Sequence, residues 1–171
     1  MSARLSATVR AIDRVNAWTG NVVAWLTLGM VLLTLTVVVL RYAFDIGMIW
    51  LQESITWMHA AVFMLGAAGT LQRDEHVRVD IFYRRLGPRG RACVDLGGTL
   101  LLLLPFCTWL AIEAWDYVAA SWSLREASRD AGGLPWPFLP LLKTLLLVMP
   151  VAVALQGIAL LLRAWQALRG G

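Results

Sequence analysis

Five ionisable side chains lie within or at the ends of long apolar segments, where charge is costly. They are Arg41, Glu53, Glu113, Asp116 and Lys143. Charged side chains in a bilayer normally face other helices and pair, and Glu113 and Asp116 share one helix face because they lie three residues apart. The pattern predicts one polar cluster, in which Lys143 or Arg41 neutralises one or more of the acids. Such a cluster could stabilise helix packing, couple ion movement or contact a partner subunit, and packing is the simplest of these roles.

Catalytic chemistry finds little support in the sequence. His59 lies inside an apolar segment and His76 in a charged turn, so these two histidines cannot clamp one haem. No nucleophile, phosphate-binding or metal-binding motif is present. Cys93 and Cys107 are fourteen residues apart on one predicted helix, about 21 Å by helical rise, which is too far for a disulfide. We therefore expect no enzyme activity, no bound metal and no cofactor.

The elements that must position these side chains are membrane-spanning helices. The chain has 171 residues, of which 59% are hydrophobic and 15% charged, a composition typical of one membrane domain over residues 1–171. Apolar segments at about 22–40, 50–71, 92–120 and 138–162 are each long enough to cross a bilayer. Residues 1–20 alternate arginines with apolar residues, which predicts a short amphipathic helix joined to the first span. Pro105 predicts a distortion near Leu101. The fold class is therefore all-α with four transmembrane helices.

The arginines and lysines predict how these spans are oriented. Eleven lie at the N-terminus, in the middle loop and at the C-terminus, whereas four lie at the opposite ends of the spans. Because positive charge is enriched on the cytoplasmic side, both termini should be cytoplasmic. The same placement beside apolar spans argues against nucleic acid as a partner, despite a pI of about 9.7.

Three sequence patterns, taken together, resemble the small membrane subunit (DctQ-like) of tripartite ATP-independent periplasmic (TRAP) transporters. The first covers residues 50–80: Trp50 and Glu53 open it, FMLGAA follows at residues 63–68, and HVRVD ends it. The second is R-Y-x-F at residues 41–44. The third is E-x-S at residues 126–128, followed by GGLP at residues 132–135. The patterns occur in the order expected for that family.

The resemblance implies a subunit of the bacterial inner membrane that is not itself a catalyst. In such systems a soluble periplasmic binding protein captures an organic acid, and a large permease subunit (DctM-like) moves it inward by sodium symport. The small subunit is expected to brace the large one and to help dock the binding protein. Sodium ions belong to the large subunit, and membrane lipids surround the complex.

The resemblance also suggests roles for two polar segments. The cytoplasmic turn, with His76, Arg78 and Asp80, could anchor at the headgroups or the partner's rim, or could simply be solvated. The other segment precedes the last span, and its candidate residues could either hold the turn and cap the helix or contact the binding protein. These candidates are Arg125, Glu126, Ser128, Arg129, Gly133 and Pro135.

Two other functions are compatible with four spans. A self-contained small transporter would move solute by itself, but the chain has no internal duplication and no span broken in a way that could cradle a solute. A membrane anchor of an oxidoreductase would co-purify with a redox partner instead of a permease. The substrate and the stoichiometry of the complex are not encoded in any pattern that we identify.

Overall fold

The computed structural model describes residues 3–75 and 80–169, which are helical apart from short links. Six α-helices occur in these ranges: α1 (Ala3–Phe44), α2 (Ile49–Gln72), α3 (Asp80–Tyr83), α4 (Pro88–Gly98), α5 (Leu104–Ser123) and α6 (Phe138–Arg169). Four helical segments are long and apolar enough to cross a membrane: Val9–Phe44, Ile49–Gln72, Pro88–Ser123 and Phe138–Leu168. The described part of the chain is therefore an all-helical protein with four candidate spans, as predicted.

The first two spans differ in length because α1 includes the amphipathic segment. Residues 3–44 form one uninterrupted helix, about 63 Å long at 1.5 Å per residue, so the predicted surface helix and the first span are continuous. Residues 45–48 then reverse the chain, with Asp45 in the left-handed region at φ 55°. A short polar side chain tolerates this conformation better than a bulky one, which suits so tight a link.

The third span contains the irregularity predicted from Pro105. Residues Thr99–Leu103 form a π-helical turn between α4 and α5. The turn ends two residues before Pro105, which lacks a backbone N–H donor. The turn packs against α6 at Gly157, where an added Cβ would lie 2.7 Å from Leu103 Cδ2. Pro150 is buried inside α6, which nevertheless continues without a break.

The helices pack as a row and not as a closed bundle. α2 and α6 lie in the middle and contact each other, α1 packs mainly on α2, and α4 and α5 pack on α6. Small residues fill the contacts, including Ala61, Ala68 and Gly69 of α2 and Ala159 of α6, all of them buried. Small side chains let backbones approach closely in a membrane. The row leaves the outer faces of α1 and α5 open.

Candidate functional site

A polar junction lies at one end of the helices, where residues 124–137 connect α5 to α6. We call this end of the molecule the loop end. Glu53, in the second turn of α2, is half-buried there. Its carboxylate accepts a hydrogen bond from Ser128 Oγ and another from the backbone N–H of Leu134, at 2.5 Å. The Trp50 N–H donates to Gly132 O at 3.2 Å. The start of α2 thus holds the connecting loop by both side chain and backbone.

A second acid of the junction, Glu126, links the loop to α6 and α5. Lys143 Nζ lies 2.5 Å from Glu126 Oε2, and Ser121 Oγ donates to the same oxygen at 2.7 Å. The hydrogen bond from Lys143, then that from Ser121, holds the pKa of Glu126 below its ordinary value. The side chains of Lys143 and Glu126 are 14% and 24% exposed, so water screens this ion pair less than one on an open surface. The Lys143 ammonium also lies 4.1 Å from the centre of the Tyr117 ring.

The loop keeps its shape through short-range hydrogen bonds and one close approach. Ser128 N–H donates to Leu134 O at 3.1 Å, and Gly133 N–H donates to Asp130 O at 3.0 Å. Gly132 has φ 82°, a conformation that glycine adopts without strain. A Cβ on Gly133 would lie 2.6 Å from Ser128 Cβ and 2.8 Å from Glu53 Oε1. Glycine is therefore required at residue 133 for the bond between Ser128 and Glu53.

Three of the predicted loop residues lie on the outside of this junction. Arg125, Arg129 and Pro135 are exposed, and the Arg125 guanidinium lies 6.0 Å from the centre of the Trp136 ring, within the range of a cation–π contact. Pro135 O accepts the Phe138 N–H at 3.1 Å at the start of α6. The loop therefore presents a basic and aromatic surface over a junction that is fixed from within.

The junction encloses a cleft but carries no evident catalytic chemistry. The cleft has a volume of about 440 Å³ and is bounded by Glu53, Trp57, Tyr117 and Lys143, among others. In residues 3–75 and 80–169, no group of three or more histidine, cysteine or acidic side chains is placed to hold a metal ion. The carboxylates of Glu53 and Glu126 are already engaged by hydrogen-bond donors, which suits a structural role.

The five residues of the predicted cluster do not come together. Glu53 and Lys143 both line the cleft, but Lys143 pairs with Glu126, which the sequence analysis assigned to the loop. Arg41, Glu113 and Asp116 are exposed and form no ion pair or hydrogen bond with residues in the described ranges. Glu113 and Asp116 lie outside the packing face of α5, which carries the buried Ala114 and Val118, although Asp116 lines a groove between α5 and α6. The cluster thus divides into a paired junction and separate exposed charges.

At the end of the helices opposite the loop end, a buried polar network joins α1 to α6. Asn16 Nδ2 donates to Gln156 Oε1 at 2.7 Å, Gln156 Nε2 donates to Asp13 Oδ1 at 3.2 Å, and Arg163 Nη2 donates to Asp13 Oδ2. Gln156 is 0% exposed and Asn16 is 6% exposed. Sequence reasoning missed this network, although amides inside apolar segments are a signal for it, because such groups need partners when buried.

The structure describes only part of the charged turn that was predicted to be cytoplasmic. His76 and Arg78 lie outside the described residues, and Asp80 is described only as the first residue of α3. His59 is exposed in the middle of α2. Next to the turn, Tyr83 donates to Asp95 Oδ2 at 2.9 Å and packs beside Arg91, which ties the end of the turn to α4. The predicted role of the turn stays a prediction.

Comparison with known proteins agrees with the resemblance seen in the motifs. Residues 30–170 match the family described as tripartite ATP-independent periplasmic transporters, DctQ component. A curated relative from Vibrio cholerae, the C4-dicarboxylate TRAP transporter small permease protein DctQ, is 29% identical over 109 residues. That alignment takes in 61% of this chain and 47% of the relative, so the chain spans about half the length of the relative. No solved structure matches. Because the family match takes in most of the chain and includes both the junction and the loop, the chain belongs to the DctQ family, the small membrane component of TRAP transporters.

Proposed function

We propose that this chain is the non-catalytic membrane subunit of a three-part uptake system in the bacterial inner membrane. It braces a large permease subunit while that subunit moves an organic acid with sodium, and its loop end faces the periplasm and helps to dock a solute-binding protein. The observation that carries the proposal is the junction: a loop with an exposed basic and aromatic surface is held to three spans through Glu53, Glu126 and Lys143.

The charges of the loop favour docking over a purely internal role. Arg125, Arg129 and Asp130 are exposed, whereas the carboxylates of Glu53 and Glu126 are half-buried and accept hydrogen bonds within the junction. The outward surface is therefore more basic than the loop composition indicates. Complementary charge steers and orients protein partners, so the binding protein is expected to present an acidic patch to this loop.

In the part of the chain that the structure describes, no span is broken in a way that could bind a solute, which favours a bracing role. The four spans of the described chain are continuous apart from the π-helical turn at Thr99–Leu103, and secondary transporters typically bind substrate at helices that are broken at mid-membrane. The curated relative is named for C4-dicarboxylates, which makes small dicarboxylic acids the first substrates to test in the complete system.

Reconstitution of uptake tests this proposal. Vesicles containing this chain, its large permease and the binding protein should accumulate the acid in a sodium gradient, whereas vesicles with this chain alone should not. Accumulation by the chain alone would overturn the bracing role. Co-purification with a redox enzyme in place of a permease would favour the anchor function instead.

Variants of the loop separate docking from folding. Arg125→Ala with Arg129→Ala should lower uptake at limiting binding-protein concentration and leave the amount of permease complex unchanged, because both side chains are exposed. Glu126→Ala should instead lower the amount of permease complex, because Glu126 pairs with Lys143 and its loss disturbs the junction itself. Equal uptake by the double arginine variant at every binding-protein concentration would refute the docking role.

A further inference from the structure

The two helices at the edges of the row have very different exposed faces. The exposed face of α1 between residues 22 and 40 carries no charged residue. Its hydroxyls at Thr34 and Thr36 donate to Met30 O and Leu32 O of the same helix. Thr27 and Trp25 are also exposed there and have no hydrogen-bond partner among the described residues, but neither carries a formal charge, so this face is compatible with lipid.

The exposed face of α5 carries two carboxylates instead. Glu113 and Asp116 lie three residues apart and so share one face, and neither has a hydrogen-bond or ion-pair partner among residues 3–75 and 80–169. Trp109 and Ile112 are exposed beside them. This face therefore combines a large apolar area with hydrogen-bond acceptors that lack donors.

The depth of Glu113 follows when Lys143 and Arg163 of α6 are taken to mark the two boundaries of the hydrocarbon core. Lys143 and Arg163 lie twenty residues apart on that helix, or about 30 Å, which is the thickness of the hydrocarbon core. Lys143 contacts the Tyr117 ring, so Tyr117 lies near one boundary of the core. Glu113 is one helical turn further in, about 6 Å deeper. An ionised carboxylate at that depth is costly against lipid.

A groove between α5 and α6 has Asp116 in its lining, whereas Glu113 lies outside it on the exposed face of α5. It has a volume of about 560 Å³ and is lined from α5 by Thr108, Ile112 and Asp116 and from α6 by Val151 and Ala154. The α5 residues extend over eight positions, or about 12 Å along the helix. The groove is mostly apolar, and among the described residues that line it only Asp116 is charged.

We propose that this α5–α6 groove, with Glu113 and Asp116, is the docking face for a membrane-spanning helix of the large permease that carries a lysine or arginine at their depth. The proposal rests on the proposed function, since it names the surface through which the permease is braced. A charged donor on the partner would neutralise both acids, and an arginine could bond them with several N–H groups at once.

The charges also argue against the other occupants of this face. Acyl chains offer no donor to a carboxylate, so lipid leaves both acids unsatisfied. A second copy of this chain, docked about a twofold axis on the same patch, would bring like charges together, because such an interface pairs each surface with itself. A basic helix of a different protein is the occupant whose chemistry matches.

Photo-crosslinking distinguishes the two edges of the row. A photoreactive phenylalanine analogue is placed at Ile112, which is 66% exposed on α5, or at Leu35, which is 58% exposed on α1, in membranes that also hold the large permease. We expect a crosslink to the permease from residue 112 and none from residue 35. A permease crosslink from residue 35 alone would overturn the docking face while leaving the proposed function intact. A self-crosslink or lipid adducts alone from residue 112 would also overturn the docking face.

Removal of the charges tests the chemistry. Glu113→Gln with Asp116→Asn should reduce the permease recovered with this chain by about tenfold or more, as expected when a charge-assisted hydrogen bond is lost. Asp45→Asn, which removes an exposed acid from the link between α1 and α2, is the matched control and should not reduce recovery. Unchanged recovery with the double variant would refute the charge pairing. Failure of the wild-type chain to recover any permease would instead refute the proposed function.

Discussion

Replacing Glu53 tests the central contact of the junction. Its carboxylate accepts from Ser128 Oγ, 75 positions away in the sequence, and from Leu134 N–H, 81 positions away. This one side chain therefore supplies two attachments of the loop to α2, beside the backbone bond from Trp50 N–H to Gly132 O. A hydrogen bond to a charged group contributes about 1.5–3 kcal/mol. Glu53→Gln keeps the shape of the side chain but presents an NH₂ group to one of the two donors, and so loses about one such bond.

Local opening of the loop is the quantity to measure. A loss of about 1.5–3 kcal/mol corresponds to exchange of the Leu134 amide that is about 10-fold to 150-fold faster, measured by hydrogen–deuterium exchange of the purified protein in nanodiscs. Glu53→Ala should accelerate it further, because both bonds are lost. Gln52→Ala is the control, since Gln52 directly precedes Glu53 in α2 and is exposed. Wild-type exchange at Leu134 in Glu53→Ala would refute the assignment of Glu53 as the anchor of the loop.

Three further perturbations follow from the same contacts. Gly133→Ala should destabilise the protein by about 1–3 kcal/mol, seen in thermal unfolding, because the added methyl group crowds Ser128. Gln156→Leu should cost about 1–3 kcal/mol in the same assay, because it leaves a buried amide without its partner. The pKa of Glu126 is lowered in the folded protein, so its pairing with Lys143 stabilises the protein above the unfolded-state pKa. That stabilisation is lost as the pH falls through the lowered folded-state pKa, and Glu126→Gln should flatten the acid end of the stability profile.

Each of these perturbations has a specific contrary outcome. Gly47→Ala is the control for Gly133→Ala, since nothing lies within 4 Å of an added Cβ there, and equal unfolding temperatures for the two variants would contradict the crowding argument. An unfolding temperature for Gln156→Leu equal to that of wild type would contradict the role of the buried network. Unfolding temperatures are compared from about pH 7 to about pH 3, a range that includes the ordinary pKa of a glutamate. The same acid dependence in Glu126→Gln as in wild type would contradict the role of its ion pair.

The sequence by itself determined the elements of this protein. Apolar segments of about twenty residues predict spans because the bilayer thickness fixes the length needed, and Pro105 marked the position of the π-helical turn because proline lacks an N–H donor. The motifs at residues 41–44, 50–80 and 126–135 predicted the family that the comparison confirmed. These features depend on local composition and spacing, which can be read without knowing which helix neighbours which.

The partners of the polar residues were decided only by the tertiary structure. The predicted topology gives Lys143 the same depth as several acids, yet it pairs with Glu126 because the loop folds back over the start of α6. Glu113 and Asp116 are left exposed because α5 packs only on its alanine and valine face. In a membrane the lipid-facing and packed sides of a helix are similarly apolar, so hydrophobic periodicity cannot reveal which side turns inward. The order and rotation of the helices make that choice, and both arise from contacts between residues far apart in the chain.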